Sequence, residues 1–172
     1  MAAENPYKPP VATVRDPPRP PRAPRSPVVG VLTGLAIDVG GTIVAGIVLG
    51  IVYAVVLAAR GMGPEQIQTT LTDVDPSSGF FLLSGVVGLG LSVLGGYVCA
   101  RMVRRDERRL AAIMGGLSAA SGLALGAVTL VTWLSVSLLV VSFAAVMAGG
   151  ELGRRRNVAD ARNADSGVAT AA

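Results

Sequence analysis

Histidine is absent from this chain of 172 residues, and cysteine occurs once, at Cys99. The first absence removes His-ligated metal centres and histidine-based catalytic triads together. The second removes any internal disulfide, and Cys99, beside Arg101, reads as a buried small residue. Aromatic residues make up only 4% of the chain, and none is placed among the basic residues for stacking on bases. Charged residues make up 15%, against about 25% in an ordinary soluble domain. Residues 39–59, 80–100 and 110–150 contain no Asp, Glu, Lys or Arg at all. Crossing a hydrocarbon core takes about 20 predominantly apolar residues, so these stretches read as membrane spans rather than as core helices of a soluble fold. The spans also lack a zinc-binding spacing, a P-loop, a pair of aspartates and a Ser/Lys dyad. No enzymatic activity and no cofactor is therefore expected. Ser84, Ser92, Ser118, Ser121, Ser135, Ser137 and Ser142 have no basic partner in sequence and read as packing residues.

What charge there is lies in clusters. Fourteen of the fifteen basic residues fall within Lys8–Arg25, Arg101–Arg109 and Arg154–Arg162. Juxtamembrane arginines concentrate on the cytoplasmic side of a bilayer, so all three clusters are expected there. The net charge of +4 then reflects orientation and attraction to anionic lipids, not a nucleic-acid partner.

Nine of the eleven prolines lie in residues 1–27. Proline fixes φ and lacks a backbone donor, so this segment reads as a disordered or polyproline cytoplasmic tail. The apolar run Val28–Ala59 would measure roughly 48 Å as one helix, which is more than a bilayer core needs; a span over about 34–58 is expected, ended by Arg60-Gly61-Met62-Gly63-Pro64. The following loop is net acidic and belongs outside, with a short surface helix over Pro64–Leu71 and an N-capping turn at Asp75–Gly79. A second span covers 80–100, after which Asp106 and Glu107 sit where a helix N-terminus favours negative charge. Leu110–Gly150 is about twice the length of one crossing and reads as a hairpin of two spans, 110–129 and 134–150, turning near Thr129–Ser135. Only a hairpin returns Arg154-Arg155-Arg156 to the cytoplasmic side. The expected fold is thus an all-α integral membrane four-helix bundle over 28–156, with both termini cytoplasmic and a disordered tail over 157–172. Phe80, Phe81 and Trp133 would mark the outer interface and Tyr97 the inner one.

Small residues recur at every fourth position. The first span carries Gly30, Gly34, Asp38, Thr42, Gly46, Gly50, Ala54 and Ala58; the second carries Ser84, Gly88, Ser92, Gly96 and Ala100; the third carries Ser118, Gly122 and Gly126. Such rows let helix backbones approach closely in lipid. Each row drifts about 40° per step around its helix, so the expected crossing of spans 1 and 2 is local, at Gly46 and Gly50 against Ser84 and Gly88. The same rows leave open homo-oligomerisation or packing against another membrane protein.

Asp38 is the one acid inside an apolar run. Ionisable residues within spans mark proton or cation sites by default. A structural role is the reading the sequence favours: about one turn inside the cytoplasmic boundary, Asp38 could be hydrated or pair with Arg101, Arg104 or Arg154. Thr42, one turn further in, is its natural hydrogen-bonding companion, although a threonine in a helix usually bonds its own backbone.

The segments Gly34-Leu35-Ala36-Ile37-Asp38-Val39-Gly40-Gly41-Thr42 and Gly95-Gly96-Tyr97-Val98-Cys99-Ala100-Arg101 resemble uncharacterised bacterial four-span membrane proteins. The resemblance implies a bacterial inner-membrane location and a four-span fold, and carries no activity. Two functional expectations follow. The first is a structural or interaction component, oligomeric or a subunit of a larger membrane complex. The alternative is a small proton-coupled transporter or exporter using Asp38. In having four spans and one acid in the first, the chain is similar to the small multidrug resistance transporters; it departs from them in its scarce aromatics, longer loops and strong charge bias.

Overall fold

The computed structural model describes residues 26–126 and 133–169, and it is all-helical there. The helices are α1 (Pro27–Leu35), α2 (Gly41–Ala59), α3 (Pro64–Thr72), α4 (Gly79–Val103), α5 (Glu107–Gly126) and α6 (Trp133–Ala169). One wide π turn, Ala36–Gly40, joins α1 to α2, so the two run as a single rod from Pro27 to Ala59. Three helical stretches are long and apolar enough to cross a membrane: Pro27–Ala59, Gly79–Val103 and Ser135–Asn163. The third expected span, 110–129, coincides with α5 as far as Gly126; the rest of it, and most of the expected turn near Thr129–Ser135, lie outside the described residues, as does the proline-rich segment up to Arg25.

Local chemistry sets the helix ends. Pro27 occupies the first turn of α1, where its missing N–H costs nothing. Arg60-Gly61 stops α2: Gly61 takes φ 85°, its N–H bonds the Ala58 carbonyl (2.9 Å), and the Met62 N–H bonds that of Leu57 (3.2 Å). That is a Schellman closure, which needs a residue tolerant of positive φ at this point. Ser78 caps α4, its Oγ accepting from the Phe81 N–H at 3.2 Å. The α4–α5 connection is only three residues long, and both Arg104 (φ 53°) and Asp106 (φ 49°) take left-handed conformations to make it.

Packing is closest where the backbone is bare. A Cβ added to Gly96 on α4 would lie 2.2 Å from the Val146 carbonyl oxygen of α6, and one added to Gly149 would lie 2.0 Å from the Val93 carbonyl oxygen of α4. On its neighbouring face α4 meets α1: added Cβ atoms at Gly34 and Gly95 would lie 2.8 and 2.7 Å from each other's carbonyl oxygens. The adjacent pair Gly95-Gly96 thus admits two different helices to one turn of α4. Val31, Cys99, Met114 and Val146 form the buried cluster at this level, and Cys99 is a fully buried free thiol.

The expected crossing of the first two spans at Gly46, Gly50, Ser84 and Gly88 is not where these helices meet. Their closest approach is at Gly34 and Gly95, and added Cβ atoms at Gly46, Gly50 or Gly88 would meet nothing within 4 Å. Above the glycine contact α2 touches α4 through bulkier groups, Gly41 against Leu91 and Tyr53 stacked on Phe80 at 4.3 Å, which hold the backbones apart.

A second departure concerns the C-terminal segment. Residues from Asn157 to Ala169, expected as a disordered tail, continue α6. Side-chain pairing accounts for this. Arg101 bonds Asp160 at 2.5 Å and Asn157 at 3.1 Å, and the Asn157 side chain donates to the Ala100 carbonyl at 2.9 Å. Glu151 gathers Arg154 (2.6 Å), Arg155 (3.3 Å) and, from α5, Arg108 (3.3 Å). A composition that is merely polar in sequence is anchored to α4 and α5 in three dimensions.

Candidate functional site

Asp38 lies at the middle of the π turn, and it is 3% exposed. π turns interrupt helices frequently at functional sites. Here the irregular ladder is supported by Thr42, whose Oγ1 donates to the Asp38 carbonyl at 2.6 Å. The expected companion is therefore present, bonded to backbone rather than to the carboxylate.

The carboxylate reaches two other helices. Ser92 of α4 donates to Oδ1 at 2.7 Å, and Ser118 of α5 donates to Oδ2 at 2.5 Å. Ser142 of α6 completes the group, its Oγ 3.4 Å from that of Ser92. Each of the long helices thus contributes one oxygen-bearing side chain to a single level. Hydrogen bonds to a charged group are worth about 1.5–3 kcal/mol each, while removing a full charge from water costs several kcal/mol after relaxation. Two hydroxyl donors together supply about 3–6 kcal/mol, an offset of the same order as that cost.

Arg101, Arg104 and Arg154 do not pair with Asp38. Arg101 and Arg154 are engaged by Asp160 and Glu151 at the charged end of the bundle, and Arg104 caps α4 there. The depth explains this. Ser92, Ser118 and Ser142 are each nine residues from the nearest charge at that end, Arg101, Arg109 and Glu151 respectively. At 1.5 Å per residue that is roughly 14 Å, far more than the one turn expected for Asp38. The serines read as packing residues in sequence are, at these three positions, the polar lining of a buried acid.

Above this level the helices separate around a cavity of about 470 Å³. Its lining has a single direction. From Asp38 it runs up α2 to Ile43, from Ser92 back to Ser84 on α4, from Ser118 on to Gly122 on α5, and from Ser142 back to Leu138 on α6. All four lead towards the end that carries Phe80 and Trp133. Towards the other end the glycine contacts and the Met114 cluster close the bundle. Asp38 is the only charged residue among those lining the cavity, and no aromatic side chain lines it. Among the described residues α2 leans on α4 and not on α5 or α6, which leaves the cavity open on that side as well.

The remaining residues picked out from the sequence fall into three groups. Ser84, Gly88 and Gly122 line the cavity. Gly96 makes the backbone contact with α6, while Gly46 and Gly50 face outwards without a neighbour. Gly126 is the last described residue of α5. Sequence reasoning took Ser142 only for a packing residue and gave no contact to Gly95, Gly149 or Gly153, each of which lies against a neighbouring helix. Among the described residues no group of His, Cys, Asp and Glu side chains is assembled as a metal site. No protein-family model, curated protein or solved structure matches the chain.

Proposed function

We propose that the chain is a small ion-coupled membrane transporter in which Asp38 accepts a cation at the floor of a cavity closed at one end. The supporting observation is the buried carboxylate, held by neutral hydroxyls from two other helices and facing an open cavity. In this reading the chain is a non-enzymatic four-span bundle of a bacterial inner membrane, with α5 as the third crossing and both termini cytoplasmic. The arginine-rich end then faces the cytoplasm and anionic lipid, and the cavity opens outwards. Asp38, roughly 14 Å above the charged boundary, comes near the midplane of a core about 30 Å thick. An acid at that depth serves a cation path more readily than a headgroup contact.

The test is solute and cation flux in vesicles containing the purified chain, compared with Asp38→Asn. Flux in the wild type that the substitution abolishes supports the proposal. Equal flux in both removes Asp38 as the coupling group, and no flux across a broad panel removes the transporter.

The second reading, a structural or interaction component, is favoured by one observation: among the described residues nothing lies within 4 Å of a Cβ placed at Gly46 or Gly50 on α2. Small residues so placed suit a partner helix, from a second copy or another membrane protein. Crosslinking in native membranes that is lost in Gly46→Leu would favour it.

A further inference from the structure

The geometry points to a sodium site at Asp38, Ser92, Ser118 and Ser142, so that the coupling ion is Na⁺ (or its congener Li⁺) rather than an organic cation; this inference rests on the transporter reading above. The first argument is ligand type. Five side-chain oxygens meet at one level, the two of the Asp38 carboxylate and the hydroxyls of the three serines, linked by separations of 2.7, 2.5 and 3.4 Å. Oxygen donors suit hard cations, whereas imidazole and thiolate select transition metals. Thiol and guanidinium groups lie elsewhere: Cys99 is packed in the cluster below, with the Met114 thioether beside it, and Arg101 and Arg154 are paired at the charged end.

The second argument is charge. One carboxylate among neutral hydroxyls is balanced by one positive charge. A divalent ion would leave a net charge in a low-dielectric interior, at a cost of several kcal/mol. No basic side chain lines the cavity to provide the balance internally. Quaternary and aromatic cations are recognised mainly through ring faces, and the lining offers none.

The third argument is that the hydroxyls are adaptable ligands. A hydroxyl carries one donor and two acceptor lone pairs. In the structure Ser92 and Ser118 donate to the carboxylate. A serine in a helix can instead turn its proton to the carbonyl four residues earlier, which presents lone pairs to an ion. The π turn adds an irregular stretch of backbone beside the acid, a feature of cation sites inside membranes.

The experiment uses the full-length purified chain, equilibrated in NaCl, LiCl, KCl or choline chloride at equal ionic strength. The readouts are the thermal midpoint and saturable binding of radioactive Na⁺. Na⁺ and Li⁺ are expected to raise the midpoint, with K⁺ and choline without effect, and Asp38→Asn should abolish both the shift and the binding. Ser142→Ala is the more informative variant, because the Ser142 hydroxyl lies against that of Ser92 and does not bond the carboxylate. It should fold with the wild-type midpoint in choline yet bind Na⁺ about tenfold more weakly, as expected for one lost polar contact. An equal response to all four salts, or unchanged Na⁺ binding in Asp38→Asn, overturns the sodium site. So does a wild type that transports in an Asp38-dependent way with no Na⁺ requirement, and that outcome leaves the transporter reading standing with a proton as the ion. If neither Na⁺ binding nor Asp38-dependent flux is found, both fall.

Discussion

Gly149 of α6 and Val93 of α4 are in backbone contact: a methyl group placed on Gly149 would lie 2.0 Å from the Val93 carbonyl oxygen. A carbonyl in a helix cannot swing aside as a side-chain tip can, so the two helices must part. Gly149→Ala is expected to cost at least the 1–3 kcal/mol typical of overpacking. Gly46→Ala, with nothing within 4 Å, should change stability by less than about 0.5 kcal/mol. Thermal unfolding in detergent measures both. Equal effects at the two sites would contradict the α4–α6 contact.

Ser118→Ala leaves one Asp38 oxygen without its donor at a buried position. The expected loss is about 1–3 kcal/mol. Ser121→Ala, on the same helix but with its hydroxyl on its own backbone at Leu117, should be near neutral. A denaturant titration of the pair distinguishes a carboxylate ligand from an ordinary helix serine.

The extension of α6 is expected to depend on Arg101 and Asp160. Both are partly exposed, so solvent screens the pair and its own contribution to global stability is small. Its loss should nonetheless fray the free helix end locally. Asp160→Asn is predicted to speed amide exchange in 157–163 while leaving 133–150 unchanged. Uniform protection in both proteins would mean that the extension stands without this anchor.

The loop before α4 gives a pH dependence. The Ser77 backbone N–H and hydroxyl both donate to Asp75, at 2.8 Å each, and hold its carboxyl below the usual value of 3.8. A depressed carboxyl stabilises the turn above its unfolded pKa, and the benefit disappears as pH falls through the folded one. Amide protection factors at residues 77–79, corrected for the intrinsic pH dependence of exchange, should therefore be constant near pH ~5 and fall below pH ~3.8. Ser77→Ala shortens the range over which the turn survives acid. An identical acid profile in Ser77→Ala would show that the hydroxyl bond adds nothing to the backbone N–H bond, which the variant keeps.

Tag mapping tests the arrangement of crossings. With α5 as the third span, tags at residue 2 and residue 172 are both expected on the cytoplasmic side, with 60–79 outside. Termini on opposite sides would mean that α5 does not cross.

Much of the helical layout was legible because it rests on hydrophobic run length and on turn chemistry. The stop after Ala59, the helix from Pro64 and the cap at Ser78 all follow from short local signals. Asp38 and Thr42 were legible as rare polar residues in apolar surroundings. The partners of Asp38 were harder to find, because serine is common in membrane helices and its neighbours say nothing about which way it faces. A depth count could have found them: the nine-residue spacing of Ser92, Ser118 and Ser142 from the charged boundary is present in the sequence. The crossing point was misplaced because a four-residue row is continuous along the helix and does not say which two members make the contact. The ordered end of α6 was illegible for a different reason, since its anchors, Arg101 and Ala100, lie more than fifty residues away.

The neighbouring glycines at 95 and 96 have a practical consequence. A bulkier side chain at 95 presses on the first helix, and one at 96 presses on the last, yet both substitutions sit on the same turn. The bundle therefore has two seams that can be loosened one at a time, and comparing them would show which wall of the chamber must yield if, as proposed, an ion passes.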